Sequence, residues 1–103
     1  MDQERRRAPR FSFIASAEIL AESRGPRMPA RISDLSALGC YVDTINPLPH
    51  GTPIQIKILK ETQQFEAPAT VVYSHTHLGM GLAFRELQPN SQSILQSWLN
   101  TSV

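Results

Sequence analysis

Two short stretches of this 103-residue sequence carry side chains that a scaffold does not need. The first sets Arg5, Arg6, Arg7 and Arg10 at the head of the chain, with Arg6 and Arg10 in the spacing R-x-x-x-R. The second is Asp34-Leu35-Ser36-Ala37-Leu38-Gly39, a D-x-S-x-x-G that starts 24 residues after Arg10. A guanidinium is a planar fork of donors, matched to anionic oxygens and to the O6/N7 edge of guanine. A carboxylate matches the opposite edge of that base, where Asp34 can accept from N1–H and N2–H₂. The Ser36 hydroxyl can donate or accept, toward a phosphate or toward its own backbone. Gly39 supplies conformation: it permits a positive φ, or close approach without a Cβ. Each stretch alone has a plainer reading, the arginines as a solvated tail and Asp34 as an Asx-turn.

The elements that must position these residues are mostly strands. Phe13, Ala15, Ala17 and Ile19 alternate with Ile14, Ser16, Glu18 and Leu20, a period of two whose inner face is ambiguous. Residues 22–27 (ESRGPR) read as a hairpin turn, after which Met28, Ala30 and Ile32 alternate with Pro29, Arg31 and Ser33. The D-x-S-x-x-G falls at a strand-to-strand junction, and CYVDT follows as a short extended piece. Beyond a loop at 45–53, Ile54, Ile56 and Ile58 give the cleanest alternation. Phe65, Ala67, Ala69, Val71 and Tyr73 share one face of the next run, where Pro68 suggests an edge or bulge. Met80, Leu82 and Phe84 continue the scheme, with Gly79 and Gly81 between them allowing close backbone approach. The period then changes: Ile94, Leu95, Trp98 and Leu99 predict one helix over about 90–100, N-capped at Asn90 or Ser91. Six or so antiparallel strands and a terminal helix, with no βαβ rhythm, suggest a small barrel or a strongly bent sheet.

Composition narrows the function classes. Hydrophobic residues make up 41% and charged residues 18%, ordinary for a single globular domain. No apolar run reaches membrane-spanning length and the N-terminus lacks a secretory apolar region, so a cytoplasmic location is expected. The net charge is +1, divided as +2 over residues 1–10 and −1 over the remainder. A charge that local argues against a polymeric nucleic-acid partner, which needs a basic face, or stacking aromatics interleaved with basic residues. His75 and His77 share a strand face as H-x-H, too few for zinc without Cys40 and His50. There is no G-x-S-x-G elbow to make Ser36 a hydrolase nucleophile. No metal, no cofactor and no enzymatic activity are expected. Trp98 reads as helix-to-barrel packing.

The two motifs together, complete and in this order, resemble the PilZ domain, the bacterial receptor module for cyclic di-GMP. The resemblance covers nearly the whole chain. It implies a mainly β fold: a six- to seven-stranded antiparallel barrel of the split-barrel type over residues 11–103, with one C-terminal helix. Residues 1–10 then form an arginine-rich arm, mobile until it closes over the ligand. It implies further that Arg6 and Arg10 grip guanine edges and phosphates while Asp34, Ser36 and Gly39 line the barrel surface. Arg5 and Arg7 add weaker contacts, and Tyr73 can offer a stacking ring on a late strand. The signal would leave through a downstream protein partner or a ligand-dependent dimer. The alternative is a ligand-free adaptor of the same fold, as in type IV pilus assembly; relatives of that kind usually lack the arginine motif.

Overall fold

The computed structural model describes residues 9–21 and 25–102. Within them the alternating runs become six strands: β1 (Phe11–Ala21), β2 (Met28–Leu35), β3 (Gly39–Asp43), β4 (Pro53–Lys60), β5 (Gln63–His75) and β6 (Gly79–Phe84). The helix α1 (Pro89–Ser102) follows. Every pairing is antiparallel, and the order β1-β2-β3-β6-β5-β4 closes into a barrel because β1 pairs with both β2 and β4. Closure removes the sheet edges that an open structure of this size would have to protect.

A barrel of only six strands is narrow inside, so large residues must face small ones. The isoleucines of β4 meet this requirement: Ile58 pairs with Ala17 of β1, and Ile56 and Ile54 pair with Ala67 and Ala69 of β5. All six are buried. The ambiguous face of β1 is settled in the same way, with Phe13, Ala15, Ala17 and Ile19 inward and Ile14 left 56% exposed. Pro68 is not on an edge strand. Its carbonyl accepts from Arg85 N–H at 2.8 Å, just past the end of β6. In an antiparallel strand N–H and C=O leave on the same side. The missing donor of Pro68 therefore points where the β6 ladder has run out.

The helix begins one residue before the predicted caps, with Pro89 in its first turn, where a missing N–H costs no helical bond. Ser91 is consequently inside the helix; its hydroxyl donates to the Glu66 carbonyl at 2.7 Å and ties α1 to β5. Leu95, Trp98 and Leu99 are buried against the barrel. The Trp98 ring lies 5.2 Å from Phe13 and 6.2 Å from Phe65, and its Nε1–H donates to Gln63 Oε1 at 2.8 Å. The helix thus seals the mouth formed by the start of β1 and the β4–β5 hairpin.

Three register shifts interrupt the ladders: Ser12/Ala15 on β1, Ile32/Asp34 on β2 and Val71/Tyr73 on β5. On β2 and β5 the extra residue reverses the in–out phase of the residues beyond it, while β1 keeps its alternation. Ile32 points into the core, yet Asp34, two residues on, pairs with Tyr41 on the outer face. Val71 points in, yet Tyr73 pairs with Gly81 and lies outside. Tyr73, expected to share the face of Phe65 through Val71, is thereby moved to the outer surface.

Candidate ligand-binding site

The bulges bring a row of side chains together across the outside of the barrel: Ser12 on β1, Asp34 on β2, Tyr41 on β3, Gly81 on β6 and Tyr73 on β5 are successive cross-strand partners. Arg10, immediately before β1, reaches over this row. Its Nε lies 3.7 Å from Asp34 Oδ2 and its Nη1 donates to the Tyr73 hydroxyl at 3.1 Å. The side chain remains 57% exposed. Water therefore competes for it, and the ion pair is weak in energy.

Two carboxylates of this face make an instructive contrast. Asp43 is saturated: Arg31 donates to Oδ2 through Nε (3.3 Å) and Nη2 (3.2 Å), and the Ser33 hydroxyl donates to Oδ1 at 3.2 Å. Among the described residues Asp34 has only the long contact to Arg10, and its buried Oδ1 has no hydrogen-bond partner there. A buried acceptor without a donor costs about 1–3 kcal/mol and calls for an explanation. Asp34 is the carboxylate left open to a donor from outside.

Ser36 and Gly39 have different positions in this arrangement. The Ser36 hydroxyl accepts from the N–H of Leu38 (3.1 Å) and of Gly39 (3.2 Å), and Ser36 N–H donates to the Gly39 carbonyl at 2.9 Å. It is buried, and its hydroxyl organises the β2–β3 turn. Gly39 has no positive φ; among the described glycines only Gly25 and Gly51 do. Its need is spatial, since a Cβ there would collide with the carbonyl oxygen of Leu82 on β6. Arg5, Arg6 and Arg7 lie outside the described residues, so the R-x-x-x-R pair is seen here through Arg10 alone.

Sequence reasoning did not single out Tyr41, and it weighed His75 only as a metal ligand. Tyr41, Tyr73 and His75 form a cluster with ring centroids 6.1, 6.0 and 5.1 Å apart, and the Tyr41 hydroxyl is hydrogen-bonded to His75 Nδ1 at 3.1 Å. The signal was Gly79-x-Gly81: a Cβ on Gly79 would meet the Tyr41 ring, and one on Gly81 the Tyr73 ring. The two glycines make room for aromatic rings as much as for backbone. His75 ends β5 while His77 sits in the following turn at φ 64°, so the two do not share a strand face. Among the described residues no group of three or more His, Cys, Asp or Glu is placed to hold a metal ion.

The electrostatics follow from these positions. Burial, with a smaller contribution from the Asp34 carboxylate, pushes the Cys40 thiol far up and keeps it protonated. The Tyr41 phenol is also raised, first by desolvation and then by Tyr73, Asp43 and Asp34. Both stay neutral at physiological pH. The site thus presents an exposed cation, a half-buried anion and aromatic rings within one patch.

Comparison with known proteins bears on the fold and the family. The chain superposes on the PilZ domain of CeSA from a cellulose-synthesizing bacterium with a TM-score of 0.72 at 16% identity, over 91% of this chain and 97% of that one. It superposes on the cyclic di-GMP-bound PilZ domain of YcgR from Escherichia coli with a TM-score of 0.78 at 20% identity, over 95% and 91%. The Bacillus subtilis inhibitor of motility MotI/DgrA gives 0.78 at 19% identity; 93% of this chain spans 50% of that one. At these identities the structural likeness establishes the fold. The comparison with curated proteins returned no match. No described helix is long and apolar enough to cross a membrane. The family model for the PilZ domain matches residues 4–101, and the chain belongs to the PilZ domain family.

Proposed function

We propose that this domain is a receptor for cyclic di-GMP, acting by binding rather than by catalysis. The observation that carries the reading is the convergence of Arg10, Tyr73 and the incompletely paired Asp34 on one outer patch. Guanine needs an acceptor for N1–H and N2–H₂, and the buried Oδ1 of Asp34 is an acceptor in want of a donor. Its O6/N7 edge and the phosphates need forked donors, which Arg10 supplies at the rim and Arg6 one R-x-x-x-R step earlier. Arg5 and Arg7 add charge for the second phosphate. Ser36 and Gly39 contribute by fixing the turn that presents Asp34. Closure of residues 1–10 over the ligand would then create a surface for a protein partner or a second copy to read. The YcgR domain bound to cyclic di-GMP, which shares this fold, supports the same ligand class.

A bidentate arginine–guanine pair contributes about 1–3 kcal/mol. Two such pairs with phosphate contacts, less the cost of ordering the arm, correspond to a Kd on the order of 1 μM. The test is calorimetric titration of cyclic di-GMP into wild type, Arg10→Ala and Asp34→Ala, with GMP as control. Micromolar binding that weakens at least tenfold in both variants supports the reading. A folded wild type that takes up no cyclic di-GMP overturns it in favour of a ligand-free adaptor.

A further inference from the structure

The aromatic cluster contains more ring surface than Tyr73 alone would supply, and the geometry points to Tyr41 as a base-stacking platform in the same site, held in place by His75. The inference rests on the cyclic di-GMP reading above and deepens it. Tyr41 is the cross-strand partner of Asp34 on β3, so their side chains leave the same face of neighbouring strands. On its other side Asp34 faces Ser12 of β1, which offers no ring. A purine whose donor edge is held by Asp34 must extend its plane to one side or the other, and only the β3 side provides an aromatic surface.

Tyr41 is also held ready for that use. The far end of its ring rests over Gly79, with the position of a Gly79 Cβ only 2.7 Å from Cε2 and 2.8 Å from Cζ. The ring occupies the space that a side chain at Gly79 would fill on β6, and the residue is only half-buried. The hydroxyl is anchored at 3.1 Å to His75 Nδ1, across β6 on β5. His75 in turn packs 5.1 Å from Tyr73. One histidine therefore fixes the Tyr41 hydroxyl and abuts the ring of Tyr73, whose hydroxyl accepts from Arg10. The two rings are tilted by 30° to each other, a shallow angle that lets them act as adjoining tiles under a planar ligand. In this arrangement Tyr41 touches ligand, and His75 is a positioning residue.

Titration of cyclic di-GMP into wild type, Tyr41→Leu, Tyr41→Phe, His75→Ala and the double variant Tyr41→Leu/His75→Ala tests this, with hypochromism of the guanine ultraviolet band as the stacking readout. Because Tyr41 points outward, Tyr41→Leu should melt close to wild type. It should bind about tenfold or more weakly and lose part of the hypochromism, since stacking is worth that much per base. Tyr41→Phe keeps the ring and should stay within about threefold of wild type. His75→Ala should weaken binding about threefold when Tyr41 is present and clearly less in the Tyr41→Leu background, where only its packing on Tyr73 remains, the pattern of residues acting through one another. A folded Tyr41→Leu that binds and stacks like wild type overturns this inference alone. A wild type that does not bind overturns it together with the receptor reading.

Discussion

Gly39→Ala tests whether the glycine of the D-x-S-x-x-G motif serves strand packing. The added Cβ would run into the Leu82 carbonyl oxygen, with the Leu82 carbonyl carbon at 3.0 Å and Ala83 Cα at 3.2 Å. All three are backbone atoms of β6, and Ala83 is Gly39's own ladder partner. No rotamer change can relieve the clash, so β3 must part from β6. Overpacking of this kind costs about 1–3 kcal/mol, and losing one or two ladder hydrogen bonds adds roughly 1 kcal/mol each. The expected loss is about 2–5 kcal/mol. For a domain of about 100 residues each kcal/mol moves Tm by roughly 4–8 °C, so thermal unfolding followed by circular dichroism should show a fall of at least about 8 °C and up to about 40 °C. Gly81→Ala provides the comparison, because there the three atoms nearest the Cβ all belong to the end of the Tyr73 ring, which can swing aside. That variant should lose less than about 1 kcal/mol yet bind cyclic di-GMP at least fivefold more weakly, roughly, because Tyr73 and Arg10 are displaced together. A Gly39→Ala protein within about 0.5 kcal/mol of wild type, or a Gly81→Ala protein destabilised as severely as it, would refute the reasoning.

Two further substitutions separate packing from binding. Ser36→Ala leaves the N–H groups of Leu38 and Gly39 without their acceptor, so urea unfolding should register a loss of about 1–3 kcal/mol, while ligand affinity of the folded variant falls less than in Arg10→Ala. Cys40 gives a pH signature. Its folded-state thiol is held well above its ordinary value of 9.0, so above that pH the unfolded chain releases a proton that the folded chain keeps. The stabilisation is complete below pH 9.0 and declines as pH rises, by about 1.4 kcal/mol per pH unit. Denaturant titrations across that range should show this decline, and Cys40→Ala should remove it; equal slopes in the two proteins would contradict the assignment.

The strands, the inner faces of β4 and β5 and the terminal helix were legible in the sequence because period-two alternation over Ile54–Ile58 or Phe65–Val71 records burial directly; β1, apolar on both faces, did not show which was inside. The bulges were not. A bulge is a relation between two strands, and nothing within "TVVYSH" marks that Val72 will be skipped by β6. For that reason Tyr73 reads as a core position in sequence and stands outside in the fold. Arg10 and Asp34 were singled out by residue type and spacing, but the lack of a partner for Asp34 Oδ1 among the described residues and the full pairing of Asp43 depend on which donors the neighbouring strands bring. The Ser36 hydroxyl could have been directed to ligand or to backbone, and only the turn geometry assigns it. Tyr41 escaped notice because an aromatic in a short strand resembles core; Gly79 accounts for the space its ring occupies once the register is known.

The position of the Phe13 ring has an optical consequence. Phe13 lies three residues after Arg10, within the β1 bulge, and its ring sits 5.2 Å from Trp98, the chain's single tryptophan. Whatever reseats the start of β1 must therefore slide one ring against the other and alter the surroundings of the indole. The domain carries an intrinsic fluorophore wired to its own rim, so an unlabelled sample reports by its emission colour and intensity how the head of β1 is seated.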